Sequence, residues 1–133
     1  RKDDPRFAGK TAEEVIATAS DDPDCVMINR NAGSGTRIVI DRLLEGRRPS
    51  GYAVQAKSHN AVATAVKQGR ADWGVAIETV AGMYGLDSTP VQEEHYDFVV
   101  PKNRRGRPAV VALRDLLADE VVRGRLVELG FRL

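Results

Sequence analysis

Between residues 25 and 100 short apolar runs alternate with helical patterns, and this alternation restricts the fold more than any other feature. The sharpest instance opens with the run Cys25-Val26-Met27-Ile28. It passes through Asn29-Arg30-Asn31-Ala32-Gly33-Ser34-Gly35-Thr36-Arg37. It ends in the helical pattern Ile38-Val39-Ile40-Asp41-Arg42-Leu43-Leu44-Glu45. Strand, glycine-rich turn and helix in that order, then repeated, predict a largely parallel sheet with helices on its faces. In such sheets ligands bind beyond the carboxyl ends of the strands.

The turn itself has the chemistry of an anion site. A helix start leaves several backbone N–H groups without partners, and the peptide dipoles add partial positive charge there. Gly33 and Gly35 let a ligand approach the backbone, while Ser34 and Thr36 add hydroxyl donors. A plainer role stands beside this one: Ser34 as an N-cap and the glycines as a tight turn. The stretch is not a P-loop, because no Gly-Lys-Ser/Thr follows, and it lacks the third glycine of the dinucleotide fingerprint.

Elsewhere the chain supplies the rest of an α/β domain. Thr11 and Glu14 have capping-box spacing for a helix to about Ala19, with Val15, Ile16 and Ala19 inward. The helix at about 35–45 should bury Ile40, Leu43 and Leu44. Strands are expected at 25–29, within Gly51–Ala56, at Trp73–Ile77, at Val91-Gln92 and at Tyr96–Val100. Ser58-His59-Asn60 opens another helix, and Glu78 to Tyr84 makes a short one. Two helices finish the chain, at about 108–117 and 120–129, with Pro108 in a first turn and Asp119 as an N-cap. Three strand ends thus lead into polar helix starts, at Asn31–Thr36, Lys57–Asn60 and Glu78-Thr79. All three should share one edge of the sheet.

Composition narrows the function classes. The 133 residues fit one domain, with 42% hydrophobic and 29% charged residues. Twenty basic and 19 acidic residues leave a formal charge of +1, which gives no electrostatic footprint for nucleic acid or an anionic membrane. No apolar run approaches the roughly 18 residues of a membrane span, and no signal peptide is visible at the start. Cys25, the only cysteine, reads as a small buried hydrophobe. His59 and His95 lack metal-ligand spacing. Ser34 has no histidine and acid in a readable arrangement, so no catalytic set, metal site or cofactor is called for.

The series Val26 to Arg37, Asp41-Arg42-Leu43-Leu44, Gly51-Tyr52, Ser58-His59-Asn60-Ala61-Val62-Ala63, Gly69 to Val75, Ile77-Glu78 and Glu94 to Pro101 resembles a known family. It is similar to the periplasmic-binding-protein-like domain found in the cytoplasm, fused to some molybdopterin biosynthesis proteins and some helix-turn-helix regulators. The resemblance covers about residues 10–130. It implies a type II fold related to molybdate and tungstate receptors, whose two lobes hold an oxyanion with neutral donors. Residues of about 25–100 would form the second lobe. Residues 1–24 and 101–133 would be linker or first-lobe elements, the C-terminal helices returning to an incomplete first lobe. On this basis the domain is expected to truncate at its N-terminus and to use a homodimer or another chain to cover Val110, Val111, Leu113, Leu126 and Leu129.

The candidate ligand residues are Ser34, Gly35, Thr36, Arg37, Ser58, His59 and Glu78. Ser58 is a donor or a plain N-cap. Arg37 faces the anion or pairs with Asp41 at i+4, the pairing being favoured. His59 donates to the ligand or faces solvent. Glu78 orients a donor or caps a helix, since direct contact with an anion would be repulsive. Asp72 should satisfy backbone donors before the buried strand, and Trp73 and Tyr96 are core or cleft-wall aromatics. The expected function is binding or sensing of a small anion, molybdate or tungstate first, in a cytoplasmic protein. That function is tied to molybdenum cofactor synthesis or its regulation through a fused partner domain. The alternatives are an organic-acid effector domain of a transcription regulator, and an accessory domain that delivers metal during cofactor synthesis.

Overall fold

The computed structural model describes residues 1–133, which divide into two compact units, Arg1–Val91 and Gln92–Leu133. The first unit contains all the sheet. Three parallel strands, β1 (Met27–Arg30), β2 (Gln55–Ala56) and β3 (Trp73–Gly74), lie in the order β2-β1-β3. Asn29 and Arg30 pair with Gln55 and Ala56, and Met27 and Ile28 pair with Trp73 and Gly74. Crossover helices link them: α2 (Gly35–Leu44) follows β1 and α3 (His59–Lys67) follows β2.

All four residues of β1 are buried. A central parallel strand is covered on both faces, and its side chains alternate between them. Met27 joins Ile16, Ala19, Cys25, Ile40, Leu44 and Trp73 on the face covered by α1 (Ala12–Asp21) and α2. Ile28 joins Ala56, Val62, Ala65, Val66 and Ala71 on the face covered by α3. The result is a three-layer α/β/α unit, and burial pushes the Cys25 thiol up to about 11.

The helices begin where local chemistry places them. Thr11 and Glu14 form the reciprocal capping box of α1. Ser34 Oγ accepts the Arg37 N–H at 3.2 Å and caps α2. Ser58 Oγ accepts the Ala61 N–H at 3.1 Å and caps α3. Ile16, Ala19, Ile40 and Leu44 are buried, whereas Val15 and Leu43 are half-buried.

The strands are shorter than the apolar runs that predict them. Gly51, at φ +82°, sits where a Cβ would lie 2.1 Å from the Met27 carbonyl oxygen. The chain turns there, with Val54 N–H donating to Gly51 O, and regular pairing with β1 resumes only at Gln55. Residues 75–77 likewise leave the ladder, and the first turn of α4 (Glu78–Met83) follows.

The second unit is helical. α5 (Pro108–Ala118) has its proline in the first turn, and Asp119 ends α5 and caps α6 (Glu120–Glu128) through the Val121 and Val122 amides. The strands expected at Val91-Gln92 and Tyr96–Val100 are absent. A strand needs a partner edge for its backbone groups, and for Tyr96–Val100 the Gln92–Leu133 unit contains no other strand. Tyr96 is 61% exposed and Val99 90%, so Tyr96 is not a core aromatic; its ring meets Phe131 at a centroid distance of 6.3 Å. Leu113 and Leu129 are exposed, and Val110, Val111 and Leu126 are half-buried.

Candidate functional site

Because the three strands are parallel, the segments that follow them leave the same edge of the sheet. Ser34, Gly35, Thr36 and Arg37 follow β1, Ser58 and His59 follow β2, and Glu78 comes soon after β3. The junction between the first two segments is made by a residue the sequence analysis passed over. Arg30, the last residue of β1, is only 7% exposed. Its Nη1 lies 3.5 Å from Thr36 Oγ1 on α2, and 3.1 and 3.0 Å from Nδ1 and Nε2 of His59 on α3. The two helix starts therefore meet around one guanidinium.

That guanidinium is without a carboxylate. None of the ion pairs of the chain involves Arg30. Its Nε is buried and has no hydrogen-bond partner. Buried cations are normally paired, because removing a charge from water is costly. The neighbouring Asn31 Oδ1 is also buried and unpaired.

The acidic groups near this edge are engaged elsewhere. Arg37 Nε donates to Asp41 Oδ1 at 2.8 Å, its Nη2 reaches Tyr52 Oη at 2.7 Å, and its Nη1 donates to the Arg30 carbonyl at 3.0 Å. The Tyr52 hydroxyl donates to the same Asp41 oxygen at 2.8 Å. The bond to Asp41 holds the Arg37 guanidinium above its ordinary range, and the same bond holds Asp41 below the usual carboxylate range. Of the two roles open to Arg37, the structure shows the ion pair. Its side chain braces the end of β1 against α2.

Glu78 stands at the start of α4, where Ser88 Oγ donates to it at 3.5 Å. The Ile77 N–H donates to His59 Nδ1 at 3.3 Å, tying the α4 start to the α3 start. Both serines serve as caps, as the plainer alternative held. A cap uses a lone pair of the hydroxyl oxygen and leaves its O–H free to donate. Gly33 takes the left-handed conformation, φ +84°, that the turn into α2 requires. At Gly35 a Cβ would meet nothing within 4 Å, so the backbone there is open to approach.

The sequence signal for Arg30 was available but faint. A charged residue closing an apolar run usually reaches solvent. Here it stays buried, with Thr36 and His59 against its guanidinium.

The architecture and the order of its elements accord with one known family. Residues 6–118 match the PBP superfamily domain. The chain belongs to this family. Two curated relatives carry the likeness further. The uncharacterized protein YvgK of Bacillus subtilis (strain 168) is 33% identical over 112 residues, which are 80% of this chain and 36% of YvgK. An uncharacterized protein in the 5′ region of the ferredoxin 2Fe-2S gene of Clostridium pasteurianum is 31% identical over 81 residues, 60% of this chain and 72% of that protein. The PBP-like chain thus spans little more than a third of YvgK. No solved structure matches it. None of its helices is long and apolar enough to cross a membrane.

Proposed function

We propose that this PBP-like domain binds a small anion at the carboxyl edge of its sheet. The observation that carries the reading is Arg30, a buried guanidinium with no carboxylate partner, set between the starts of α2 and α3. The donors around the anion would be Arg30, the Ser34, Thr36 and Ser58 hydroxyls, the backbone at Gly35 and the His59 ring. Arg37 and Glu78 would support the edge without touching the ligand. Molybdate and tungstate are the leading ligands by resemblance, and Arg30 adds a charged donor to the neutral set that resemblance implies. Binding would then report or deliver the anion to a fused domain or a second copy of the chain. One observation favours a second class: the planar guanidinium fork also fits a carboxylate, so an organic acid is the competing ligand.

Calorimetric titration of the intact protein with molybdate, tungstate, sulfate, phosphate and a panel of organic acids tests this. The informative variant is Gly35→Val. Its side chain enters open space, so the fold should survive while the anion loses its approach to the backbone. Heat from an oxyanion that Gly35→Val abolishes, with the circular dichroism unchanged, supports the proposal. Heat from an organic acid alone moves the ligand to the second class. Silence from every anion ends both.

A further inference from the structure

The charge at this edge is larger than the sequence shows. α2 and α3 are ten and nine residues long, and both begin here. Each helix start carries the equivalent of roughly +0.5 charge. With the Arg30 guanidinium the sum is about +2. Of the acidic groups near it, Asp41 is paired with Arg37 and bonded to Tyr52, and Glu78 is exposed, so solvent screens its charge. Arg30 itself is more than nine-tenths buried, its Nε is unpartnered, and its Nη1 lies between Thr36 and His59. Burial weakens solvent screening of the Arg30 charge relative to an exposed side chain.

We propose that Arg30 makes the site select doubly charged over singly charged oxyanions, with charge rather than size as the first discriminator. This rests on the anion-binding reading above. A dianion gains twice the Coulomb energy of a monoanion from the same guanidinium. The second charge costs more to dehydrate, and only a site with compensating positive charge recovers that cost. Arg30 supplies the one buried full charge at the edge that no carboxylate of the chain neutralises; Lys57, which follows β2, is exposed, so solvent screens it.

Tungstate and perrhenate give a direct test, because they are tetrahedral oxyanions of nearly the same size that differ by one charge. The intact protein, Arg30→Gln and Arg30→Lys are titrated calorimetrically with each ion. The wild type should bind tungstate at least about tenfold more tightly than perrhenate. Arg30→Gln should shrink that ratio by about tenfold or more, because losing one positive charge penalises the dianion twice as much. Arg30→Lys should weaken both ions while holding the ratio, since it keeps the charge and loses the fork. A merely structural arginine would lower both affinities together and leave the ratio fixed. An unchanged ratio in Arg30→Gln, or a wild type that favours perrhenate, overturns the charge-selection proposal while leaving anion binding in place. Binding of neither ion by the wild type overturns the anion reading itself, and the proposal with it.

Discussion

The two edges of the sheet each bury a charged side chain, and they treat it in opposite ways. At the amino edge Asp72 is surrounded. It accepts the Val26 N–H at 2.8 Å, Arg6 Nη2 at 2.9 Å and Arg1 Nη2 at 3.0 Å. Arg6 is held in turn by Asp4, with a 2.6 Å contact, and lies 3.6 Å from Asp22. At the carboxyl edge Arg30 meets only a hydroxyl and an imidazole. The first arrangement fastens the N-terminal loop to the strand starts and leaves nothing for a ligand to do. The second leaves a buried guanidinium without a carboxylate, the place the proposed anion would take. Both are buried ions on one small sheet, so it is the partner set that separates structure from function.

The largest effect should come from breaking the saturated edge. Asp72→Ala strands the Val26 amide and leaves Arg6 and Arg1 facing one another across a half-buried gap. Removing one partner of a buried pair costs about 3–5 kcal/mol, and the low end applies here because both arginines reach solvent. Urea denaturation should show this as a lower midpoint with an unchanged slope. A loss within about 0.5 kcal/mol, the range of ordinary surface substitutions, would mean that the cluster is ornamental.

Acid should erode the same edge. The bond from Arg6 lowers Asp4 to about 2. Burial alone would raise Asp72, but the Val26 N–H, Arg6 and Arg1 outweigh it and hold the carboxyl low. A carboxylate depressed in the folded state contributes stability that is present above its unfolded pKa and disappears as pH falls through the folded one. Stability should therefore decline from about pH 4 toward pH 2. Asp4→Asn, which has no proton to gain, should flatten that decline when thermal midpoints are measured across the window.

A smaller change should follow at the opposite edge. Ser34→Ala removes the α2 cap, at a cost of about 0.5–2 kcal/mol. Ser58→Ala should cost a similar amount at α3, measured by the same denaturation. If both serines also donate to an anion, each variant should additionally lose affinity, by about one to two decades where a hydrogen bond to charge is removed.

What could be read beforehand follows from how local each interaction is. The Thr11–Glu14 box, the Arg37–Asp41 pair, the Ser34 and Ser58 caps and the Pro108 and Asp119 helix starts all act within four residues. Each was visible in the spacing. The parallel sheet and the shared edge were legible because alternation forces parallel pairing. The strand lengths were not, because Gly51 turns the chain against a carbonyl 24 residues away in sequence. The Tyr96–Val100 run was misread for the converse reason: its pattern is strand-like, but propensity supplies no partner. That Asp72 would accept from a backbone donor was anticipated, while the donor being Val26 and its pairing with Arg6, 66 residues distant, were not. Arg30 lay inside the quoted motif and was passed over because burial of an arginine depends on what folds over it.

The smallest stability effect should be the most telling. Arg30→Gln removes a buried cation that pairs with no carboxylate. Structural reasoning by analogy with Asp72 would forecast a loss of several kcal/mol. The partner set forecasts otherwise. What disappears is a 3.5 Å contact to Thr36 and a contact with His59, set against the relief of desolvating an unpaired charge. Without added anion the midpoint should stay within about 0.5 kcal/mol of wild type or rise, the pattern of a residue kept for binding at the expense of stability. Adding tungstate should then raise the thermal midpoint of the wild type more than that of the variant, since a ligand stabilises the state it binds in proportion to its affinity. A loss as large as that of Asp72→Ala, with equal ligand response in both proteins, would place Arg30 in the same structural class as Asp72 and remove the contrast between the two edges.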